Sequence, residues 1–186
     1  MKGRKVCLGV TGCIAAYKAA GMASSLVQGG AEVRVVMTES ATRFIMPLTF
    51  ESLTHKPVHV EMWRPEASYL VKHIALTDWA EVILVAPATA NILGKVASGI
   101  ADDLLSTVIM SADCPVMFAP AMNSRMWSNS VVEGNVARLR DLGYRFVEPE
   151  EGYLACGTVG VGRLADPERI LSALSQLLSE IPPKAE

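Results

Sequence analysis

The sequence predicts a single α/β domain in which an open parallel sheet is covered by helices on both faces. An apolar segment, a glycine turn, an alanine-rich segment and a second apolar segment follow one another within residues 5–37, as in a βαβ unit. Apolar and helix-like segments continue to alternate along the 186 residues, a length that suits one domain.

The first predicted unit consists of a strand at Lys5–Val10, a helix at 15–28 and a strand at Glu32–Met37. Gly29 and Gly30 end the helix, because glycine adopts the left-handed cap conformation without steric cost. A right-handed crossover between these strands would make them parallel neighbours.

The later predicted elements are strands at 82–86, 115–119 and 144–147, and helices at 92–110 (interrupted near Ser98), 129–142 and 167–178. Pro87 is expected to end its strand, and Pro167 suits the first turn of a helix, where a missing N–H does little harm. The predicted arrangement is Rossmann-like or flavodoxin-like. Residues 1–180 form the predicted domain, and residues 181–186 are expected to be a polar tail or the start of a linker.

The composition excludes several classes of protein. Lys and Arg number 17 against 19 Asp and Glu, so the net charge is −2 and offers no basic surface for nucleic acid or an anionic membrane. The apolar runs are shorter than the roughly 20 residues of a membrane-spanning helix. The four cysteines form no CxxC pair, which argues against a zinc ribbon. We therefore expect a soluble, cytoplasmic protein with no nucleic-acid or membrane partner and no metal site.

A ligand site is expected where the loops after the parallel strands converge. In the first loop, Gly12 precedes a helix N-terminus, an arrangement that favours phosphate. The loop has neither the GxGxxG pattern nor the GK[ST] of a P-loop, which favours a mononucleotide. Glu39 follows the second strand and could bind a ribose, so an NAD-dependent dehydrogenase stays open as an alternative.

Two later loops contain polar residues with two interpretations. Thr89 and Asn91 could bind a flat ring, or one of them, Asn91 above all, could cap the helix that follows. Asn123 could likewise be a turn or cap residue, or an amide that orients a ligand. The residues alone do not decide between these roles.

Six segments together resemble the flavin-dependent cysteine decarboxylases, a family of homo-oligomeric flavoproteins. They are Gly12-Cys-Ile-Ala-Ala-Tyr-Lys18, His73, Ala86-Pro-Ala-Thr-Ala-Asn91, Ser98-Gly-Ile-Ala-Asp-Asp-Leu-Leu105, Pro120-Ala-Met-Asn-Ser-Arg-Met-Trp127 and Ala155-Cys-Gly-Thr-Val-Gly-Val-Gly-Arg163. The resemblance extends from residue 5 to 178 and is strongest to the members that act on phosphopantothenoylcysteine in coenzyme A biosynthesis. The family usually has Ser or Gly where this chain has Cys13.

The resemblance implies FMN as cofactor. The residues that it places at the phosphate are Gly12, Cys13 and Ile14; those after the second strand are Thr38, Ser40 and Phe44; those near the flavin ring are Pro87, Ala88, Thr89, Ala90 and Ala121.

The resemblance also implies a reaction, the conversion of 4′-phosphopantothenoylcysteine to 4′-phosphopantetheine. The substrate thiol is oxidised at the flavin, the carboxylate leaves as carbon dioxide, and the resulting enethiolate is reduced again. His73 is implied as the base, Asn123 as the carboxylate-binding amide, and Cys156, in a glycine-rich clamp, as the proton donor. Met126 and Arg163 are further substrate residues, and Lys95 and Arg163 are candidates for contacts with the substrate phosphate.

Other functions within the family stay open. A peptidyl-cysteine decarboxylase of peptide-antibiotic maturation would share His73 and Asn123, and a regulatory FMN-binding subunit would not need all the catalytic residues. A flavin prenyltransferase would lack the Pro-Ala-Met-Asn segment. The resemblance further implies a homotrimer or a multiple of trimers, a site between subunits, and a fused or separate phosphopantothenoylcysteine synthetase as partner.

Overall fold

A computed structural model describes residues 1–63 and 72–184 of the chain. Its strands are β1 (Lys5–Val10), β2 (Glu32–Met37), β3 (Val58–His59), β4 (Val82–Ala88), β5 (Val116–Pro120), β6 (Arg145–Phe146), β7 (Glu150–Tyr153) and β8 (Val159–Arg163). Its α-helices are α1 (Ala16–Gln28), α2 (Pro47–Thr54), α3 (Lys72–Trp79), α4 (Ala90–Ala97), α5 (Leu104–Met110), α6 (Ser124–Trp127), α7 (Ser130–Asp141) and α8 (Pro167–Glu180), and a 3-10 helix spans Glu39–Arg43.

The six strands β1 to β6 form one parallel sheet in the order β3-β2-β1-β4-β5-β6. This is the Rossmann-type order, in which strands are added toward one edge of the sheet from β1 to β3 and toward the other edge from β4 onward. The loops after these two strands diverge at that point and leave a crevice at the carboxyl edge of the sheet. The predicted α/β class and parallel sheet are confirmed.

Helices cover both faces of the sheet, as predicted. Leu8 of β1 points into a core shared with α1, α2 and α8, whereas its neighbour Cys7 points into a core shared with α3, α4, α5 and α7. Both side chains are fully buried. The continuous apolar character of β1 follows from this burial on two faces.

The structure sharpens two of the predicted elements. Strand β4 continues through Pro87 to Ala88, because the register with β5 shifts between Val85 and Ala88 and the missing N–H of proline is tolerated at such an irregularity. The segment 92–110 is two helices. The second begins at a capping box in which Asp103 and Ser106 each accept a hydrogen bond from the other's backbone N–H.

The glycine-rich segment after residue 150 forms an antiparallel hairpin of β7 and β8, which the sequence did not predict. Glycines at positions 152, 160 and 162 interrupt any alternation of apolar and polar side chains. Gly162 has φ +145, and a Cβ there would lie 2.4 Å from the Met122 carbonyl oxygen, so the close approach of the hairpin to the loop after β5 requires glycine.

The described part of the C-terminal tail is attached to the sheet. The Arg4 guanidinium donates to the Ile181 carbonyl at 3.2 Å, and the Lys184 backbone N–H donates to the buried Glu81 carboxylate at 2.8 Å. The described part of the predicted tail, residues 181–184, is therefore held against the rest of the domain.

None of the helices in the described ranges combines the length and apolar character needed to cross a membrane.

Candidate active site

Two adjacent cavities open at the carboxyl edge of the sheet. The loop cavity, about 660 Å³, is lined by Thr11, Gly12, Cys13, Thr38, Glu39, Ser40, Thr89, Ala90, Asn91, Ile92, Lys95, Asp103, Ala121, Met122, Asn123 and Met126. The hairpin cavity, about 530 Å³, is lined by Cys13, Ile14, Ala15, Tyr17, Lys18, Ala121, Met122, Asn123, Tyr153, Leu154, Ala155, Cys156, Gly162, Arg163 and Leu164. Both volumes lie in the range of small-molecule sites. Four residues line both cavities, so the two form one continuous cleft.

Thr11 fixes the divergence point of the sheet. Its hydroxyl donates to the Pro87 carbonyl at 2.7 Å and accepts from the Thr89 backbone N–H at 3.0 Å. Thr11 is only 1% exposed, so this pair of bonds ties the loop after β1 to the loop after β4. Thr89 in turn caps α4 by accepting from the Ile92 N–H, so the cap is Thr89 and not Asn91.

Gly12 lies against the loop after β2. A Cβ at Gly12 would stand 2.4 Å from the Ser40 Cβ and 2.9 Å from its carbonyl oxygen, both too close for any real contact. The side chain of Thr38 accepts from the Ala41 N–H and so starts the 3-10 helix that presents Ser40. Only glycine lets these two loops form one wall of the loop cavity.

The N-terminus of α1 opens at this wall and suits an anion. Ala15 precedes the helix without a side-chain cap, and no acidic residue lies in the first turn. The helix dipole and the backbone N–H groups there attract a phosphate group. Burial raises the pKa of the neighbouring Cys13 thiol, which therefore stays protonated and adds no negative charge.

The loop after β5 and the hairpin bring an amide and a thiol together at the meeting point of the cavities. Asn123 Oδ1 accepts from the Arg125 N–H at 2.9 Å and caps α6, while its Nδ2 donates to Cys156 Sγ at 3.2 Å. Cap and functional amide are thus the same residue. Hydrogen bonding, first of all with the Thr158 hydroxyl, lowers the pKa of the exposed Cys156 thiol.

The cation nearest the loop cavity is neutralised. Lys95 Nζ lies 2.6 Å from Asp102 Oδ1 and 2.7 Å from Asp103 Oδ2. Although burial opposes it, hydrogen bonding to these carboxylates raises the pKa of Lys95, and the ammonium lowers the pKa of Asp103 in return. Because both carboxylates hold the ammonium, the candidate phosphate contact of Lys95 gains no support.

The hairpin cavity contains two cations in a different state. Arg163 forms a long ion pair with Glu150 Oε2, at 3.6 Å. The Lys18 ammonium, on the first turn of α1, has no hydrogen-bond or ion-pair partner among residues 1–63 and 72–184. The hairpin cavity therefore offers side-chain cations to an anionic group, whereas the loop cavity offers backbone N–H groups at the N-terminus of α1.

The structure brings most of the predicted site residues to the cleft. Those that line it are Gly12, Cys13, Ile14, Thr38, Ser40, Thr89, Ala90, Ala121, Asn123, Met126, Cys156 and Arg163. Phe44, Pro87 and Ala88 line neither cavity, although the Pro87 carbonyl is bonded to Thr11. The predicted contacts of Phe44, Pro87 and Ala88 with FMN remain predictions.

His73 also lies outside both cavities. It is half-buried in α3, where its carbonyl accepts from the Thr77 hydroxyl at 3.1 Å, and α3 packs on α5 on one face of the sheet. Residues 64–71, which precede it, lie outside the described ranges. Within one chain, the predicted base is thus separate from Asn123 and Cys156.

Among the residues that sequence reasoning missed are Thr11 and Lys18, which line the cleft, and Thr158, which lines neither cavity but lies beside the Cys156 thiol. Thr11 and Lys18 stand at the two ends of the first glycine loop, where a hydroxyl beside a turn and a lysine one turn into a helix were visible signals. Thr158 could not be identified from the sequence, because its contact with Cys156 depends on the conformation of the turn between β7 and β8.

Comparisons with known proteins agree with this geometry. Residues 1–179 match the family model described as Flavoprotein. The bifunctional coenzyme A biosynthesis protein CoaBC of Bacillus subtilis is 48% identical over 180 residues, which are 97% of this chain and 44% of that protein. The chain thus spans less than half of this relative. A probable phosphopantothenoylcysteine decarboxylase of Streptococcus mutans is 40% identical over 177 residues, covering 94% of this chain and 99% of that one.

Solved structures share the fold over nearly the whole chain. A cysteine-to-serine mutant of PPC decarboxylase in complex with pantothenoylaminoethenethiol has a TM-score of 0.86 and 33% identity, covering 96% of this chain and 100% of that one. The FMN-dependent cysteine decarboxylase SpaF has a TM-score of 0.84 and 36% identity, covering 95% and 96%. These matches confirm the resemblance drawn from the sequence, and the chain belongs to the flavoprotein family that includes the phosphopantothenoylcysteine decarboxylases.

Proposed function

We propose that the protein is an FMN-dependent decarboxylase that converts 4′-phosphopantothenoylcysteine to 4′-phosphopantetheine in coenzyme A biosynthesis. The observation that carries the proposal is the 3.2 Å contact between the Asn123 amide and the Cys156 thiol, 33 residues apart in the chain. The neutral amide can bind a carboxylate, and the neighbouring thiol, whose pKa is lowered, can then donate a proton at the same place. The relatives named for this activity support the assignment.

The loop cavity fits FMN. The backbone N–H groups at the uncapped N-terminus of α1 would bind the phosphate. The close packing of Gly12 against Ser40 would fix the loop that carries them. Small residues such as Ala90 and Ala121 leave room for a flat ring between the loops after β4 and β5. When bound, FMN would supply the reversible two-electron oxidation of the substrate thiol.

Asn123 and Cys156 would act on the substrate. The amide of Asn123 binds the substrate carboxylate without a full positive charge, which would stabilise the ground-state anion and slow the loss of carbon dioxide. Cys156 then donates its proton to the enethiolate that remains. The hairpin of β7 and β8, with Tyr153 and Cys156 in the wall of the hairpin cavity, would cover the bound substrate and exclude water.

The cations of the hairpin cavity favour a phosphorylated substrate over a peptide. Lys18 and Arg163 line this cavity together with Cys156, so a chain that starts at the thiol and ends in a phosphate can extend toward them. We expect Lys18→Gln to raise KM for phosphopantothenoylcysteine about tenfold, the scale of one charge-assisted hydrogen bond, with less effect on the dephosphorylated substrate. Equal effects on both substrates would contradict a phosphate contact.

We propose that His73 reaches the cleft of a second subunit in a homotrimer or a multiple of trimers. Apolar side chains around the cleft are exposed in the single chain, among them Ile14 at 56%, Tyr17 at 60% and Tyr153 at 70%, and a subunit contact would cover them. Light scattering tests the oligomer. Mixed oligomers of two inactive variants, His73→Asn and Asn123→Ala, should regain activity, and mixed oligomers without activity would contradict a shared site.

The domain spanning 1–180 would work with a phosphopantothenoylcysteine synthetase, either fused beyond the tail at 181–186 or separate. The bifunctional relatives support a fused arrangement in some species. All four cysteines are free, which suits the reducing cytoplasm. Fractionation of cells with an antibody to the protein tests this location.

The central experiment is reconstitution. The purified protein should be yellow or become yellow with FMN, and should release carbon dioxide from phosphopantothenoylcysteine faster than from a peptide with a C-terminal cysteine. Cys156→Ser should still release carbon dioxide but accumulate the oxidised enethiol product. A colourless protein that FMN cannot reconstitute would overturn the proposed function.

A further inference from the structure

Two hydrogen-bonding groups meet at the sulfur of Cys156. Asn123 Nδ2 lies 3.2 Å from Sγ, and the Thr158 hydroxyl lies 3.1 Å from it. Cys156 and Thr158 belong to the turn between β7 and β8, in which the Leu154 N–H donates to the Thr158 carbonyl at 2.8 Å and the Gly157 N–H donates to the Leu154 carbonyl at 2.9 Å. The turn therefore fixes the hydroxyl beside the thiol.

The hydrogen bond that Asn123 makes with α6 determines which end of its amide faces the sulfur. Its Oδ1 is occupied by the Arg125 N–H, so the NH₂ group points at Cys156. The hairpin is fixed next to the loop after β5, because the Met122 N–H donates to the Gly162 carbonyl at 2.9 Å. The two backbones are so close there that position 162 has no space for a side chain. The amide that would bind the substrate carboxylate thus already touches the proton donor.

We infer that Asn123 serves two partners in turn, first the substrate carboxylate and then the sulfur of Cys156, and that Thr158 is the positioning residue that supports the thiolate. This inference rests on the proposed function. A carboxylate in the cleft takes the Asn123 amide from the thiol, and the departure of carbon dioxide returns it. Loss of the carboxylate therefore makes Cys156 a stronger acid at the moment when a proton is needed.

The proton transfer balances within this arrangement. The S–H bond of Cys156 breaks, a C–H bond forms at the carbon that carried the carboxylate, and the negative charge stays on Sγ. The two electrons and the proton that oxidation removes from the carbon bearing sulfur, which FMN would hold in the meantime, return to that carbon, and the product thiolate takes its proton from solvent. The Cys156 thiolate accepts from the Asn123 amide and the Thr158 hydroxyl until it too is protonated from solvent.

The other cysteines show that the environment of Cys156 is specific. Burial raises the pKa of Cys7 to about 12 and that of Cys114 to about 11. Hydrogen bonding with the Thr158 hydroxyl and backbone instead lowers the pKa of Cys156, which is exposed. Geometry and acidity thus agree that Cys156 is prepared to carry negative charge.

The experiment measures alkylation of Cys156 by iodoacetamide against pH, with the modified peptide quantified by mass spectrometry in the full chain with and without FMN. Thr158→Val keeps the branched shape and removes the hydroxyl, and should slow alkylation at pH 7 by about three- to tenfold by raising the midpoint of the profile. Thr158→Ser keeps the hydroxyl and should retain the native midpoint. An unchanged midpoint in Thr158→Val would overturn the role of Thr158.

Ligands test the exchange of partners at Asn123. The serine analogue of the substrate, which keeps the carboxylate but has no thiol, should raise the alkylation midpoint, whereas 4′-phosphopantetheine, which has no carboxylate, should not. Equal midpoints with both ligands would overturn the exchange.

Product analysis separates this inference from the proposed function. Thr158→Val should increase the share of turnovers that end in the oxidised enethiol, and Thr158→Ser should restore the native share. A native share in Thr158→Val would refute the inference while leaving the decarboxylase intact. Absence of carbon dioxide release by the native protein, with the midpoint shift present, would instead refute the proposed function.

Discussion

The two ends of the parallel sheet are built in opposite ways. At the carboxyl end, the loops after β1, β4 and β5 diverge and leave two cavities, with Lys18 and the exposed Cys156 in the wall of one of them. At the amino end, Glu81 is 3% exposed and forms an ion pair with Arg4. Polar groups are thus left accessible at one end and fully engaged at the other.

The amino-end network joins three neighbouring strands. Arg4 and Glu81 immediately precede β1 and β4, and the Arg4 guanidinium also donates to the Leu178 carbonyl at 2.6 Å. Lys184 Nζ donates to the Thr77 carbonyl at 3.0 Å and to Asp113 Oδ1, just before β5, at 3.1 Å. The beginnings of the strands, the end of α8 and the tail are therefore held together.

The difference indicates that the amino end contributes mainly to stability and the carboxyl end mainly to binding and catalysis. A group that binds substrate must leave some hydrogen-bonding capacity unused, which costs stability at the carboxyl end. A rigid opposite end offsets that cost. Mutations at the two ends should consequently separate activity from stability.

The largest expected effect is on activity at the carboxyl end. Asn123→Ala removes both the α6 cap and the amide beside Cys156, so carbon dioxide release should fall about 100- to 1,000-fold, the usual cost of a lost charge-stabilising donor. Asn129 is the matched control, because its Oδ1 caps α7 through the Val131 N–H at 2.9 Å outside both cavities. Asn129→Ala should lose about 1 kcal/mol of stability and keep its turnover. If the two variants had similar turnover, Asn123 would serve only as the cap of α6, without a role in catalysis.

The next effect is on stability at the amino end. Glu81→Ala leaves Arg4 without its carboxylate in a nearly buried site, and should lower the free energy of unfolding by about 3 kcal/mol in urea titrations. FMN affinity of the folded fraction should not change. Glu148→Ala removes an ion pair with Arg140 whose side chains are 49% and 43% exposed, and should cost less than about 0.5 kcal/mol. Equal losses would show that the amino end has no special role.

The same contrast explains which parts could be predicted from sequence. Strands β1 and β5 are buried on both faces, so their apolar runs indicated them within about one residue. The hairpin of β7 and β8 was missed because glycines replace the alternating side chains that identify a strand. Its position depends on space at Gly160 and Gly162 beside α6, a contact between distant parts of the chain.

The candidate site was predictable where one short segment defines it and unpredictable where segments meet. Gly12 and Asn123 were found from local motifs, and their neighbours in the cleft follow from the strand order. Three features could be seen only in the folded chain. They are the contact of Asn123 with Cys156 beside Thr158, the ion pairs of Lys95 with two carboxylates, and the hydrogen bonds of Glu81 at the amino end. Resemblance supplied His73, whose place outside the cavities no sequence pattern indicated.

A third test compares two glycines at the carboxyl end. Gly12→Ala forces a Cβ against Ser40 and should weaken FMN binding at least about tenfold in fluorescence titrations, since the phosphate loop must shift by more than a few tenths of an ångström. Gly21 lies in α1, and a Cβ added there would meet no atom of the described chain within 4 Å, so Gly21→Ala should leave FMN affinity unchanged and stabilise the helix by up to about 1 kcal/mol. Native FMN affinity in Gly12→Ala would refute the phosphate site.

The smallest effect is the part of the pH dependence of stability that Glu81 contributes at the amino end. Although burial opposes it, hydrogen bonds from Arg4 and from the Lys184 and Lys5 N–H groups lower the pKa of Glu81 below its ordinary value of 4.5. A carboxyl group with a depressed pKa adds stability above its unfolded value, and that stability is lost as the pH falls through the folded value. The native free energy of unfolding should therefore decline below about pH 4.5 more than that of Glu81→Gln, by on the order of 1 kcal/mol, the scale of one hydrogen bond to a charged group. Urea titrations from pH 6 to the acid limit of folding measure both curves, with Glu148→Gln as the exposed control. Parallel native and Glu81→Gln curves would mean that the amino end gains its rigidity from packing alone, because the Glu81 carboxylate is the one titrating group by which the two proteins differ.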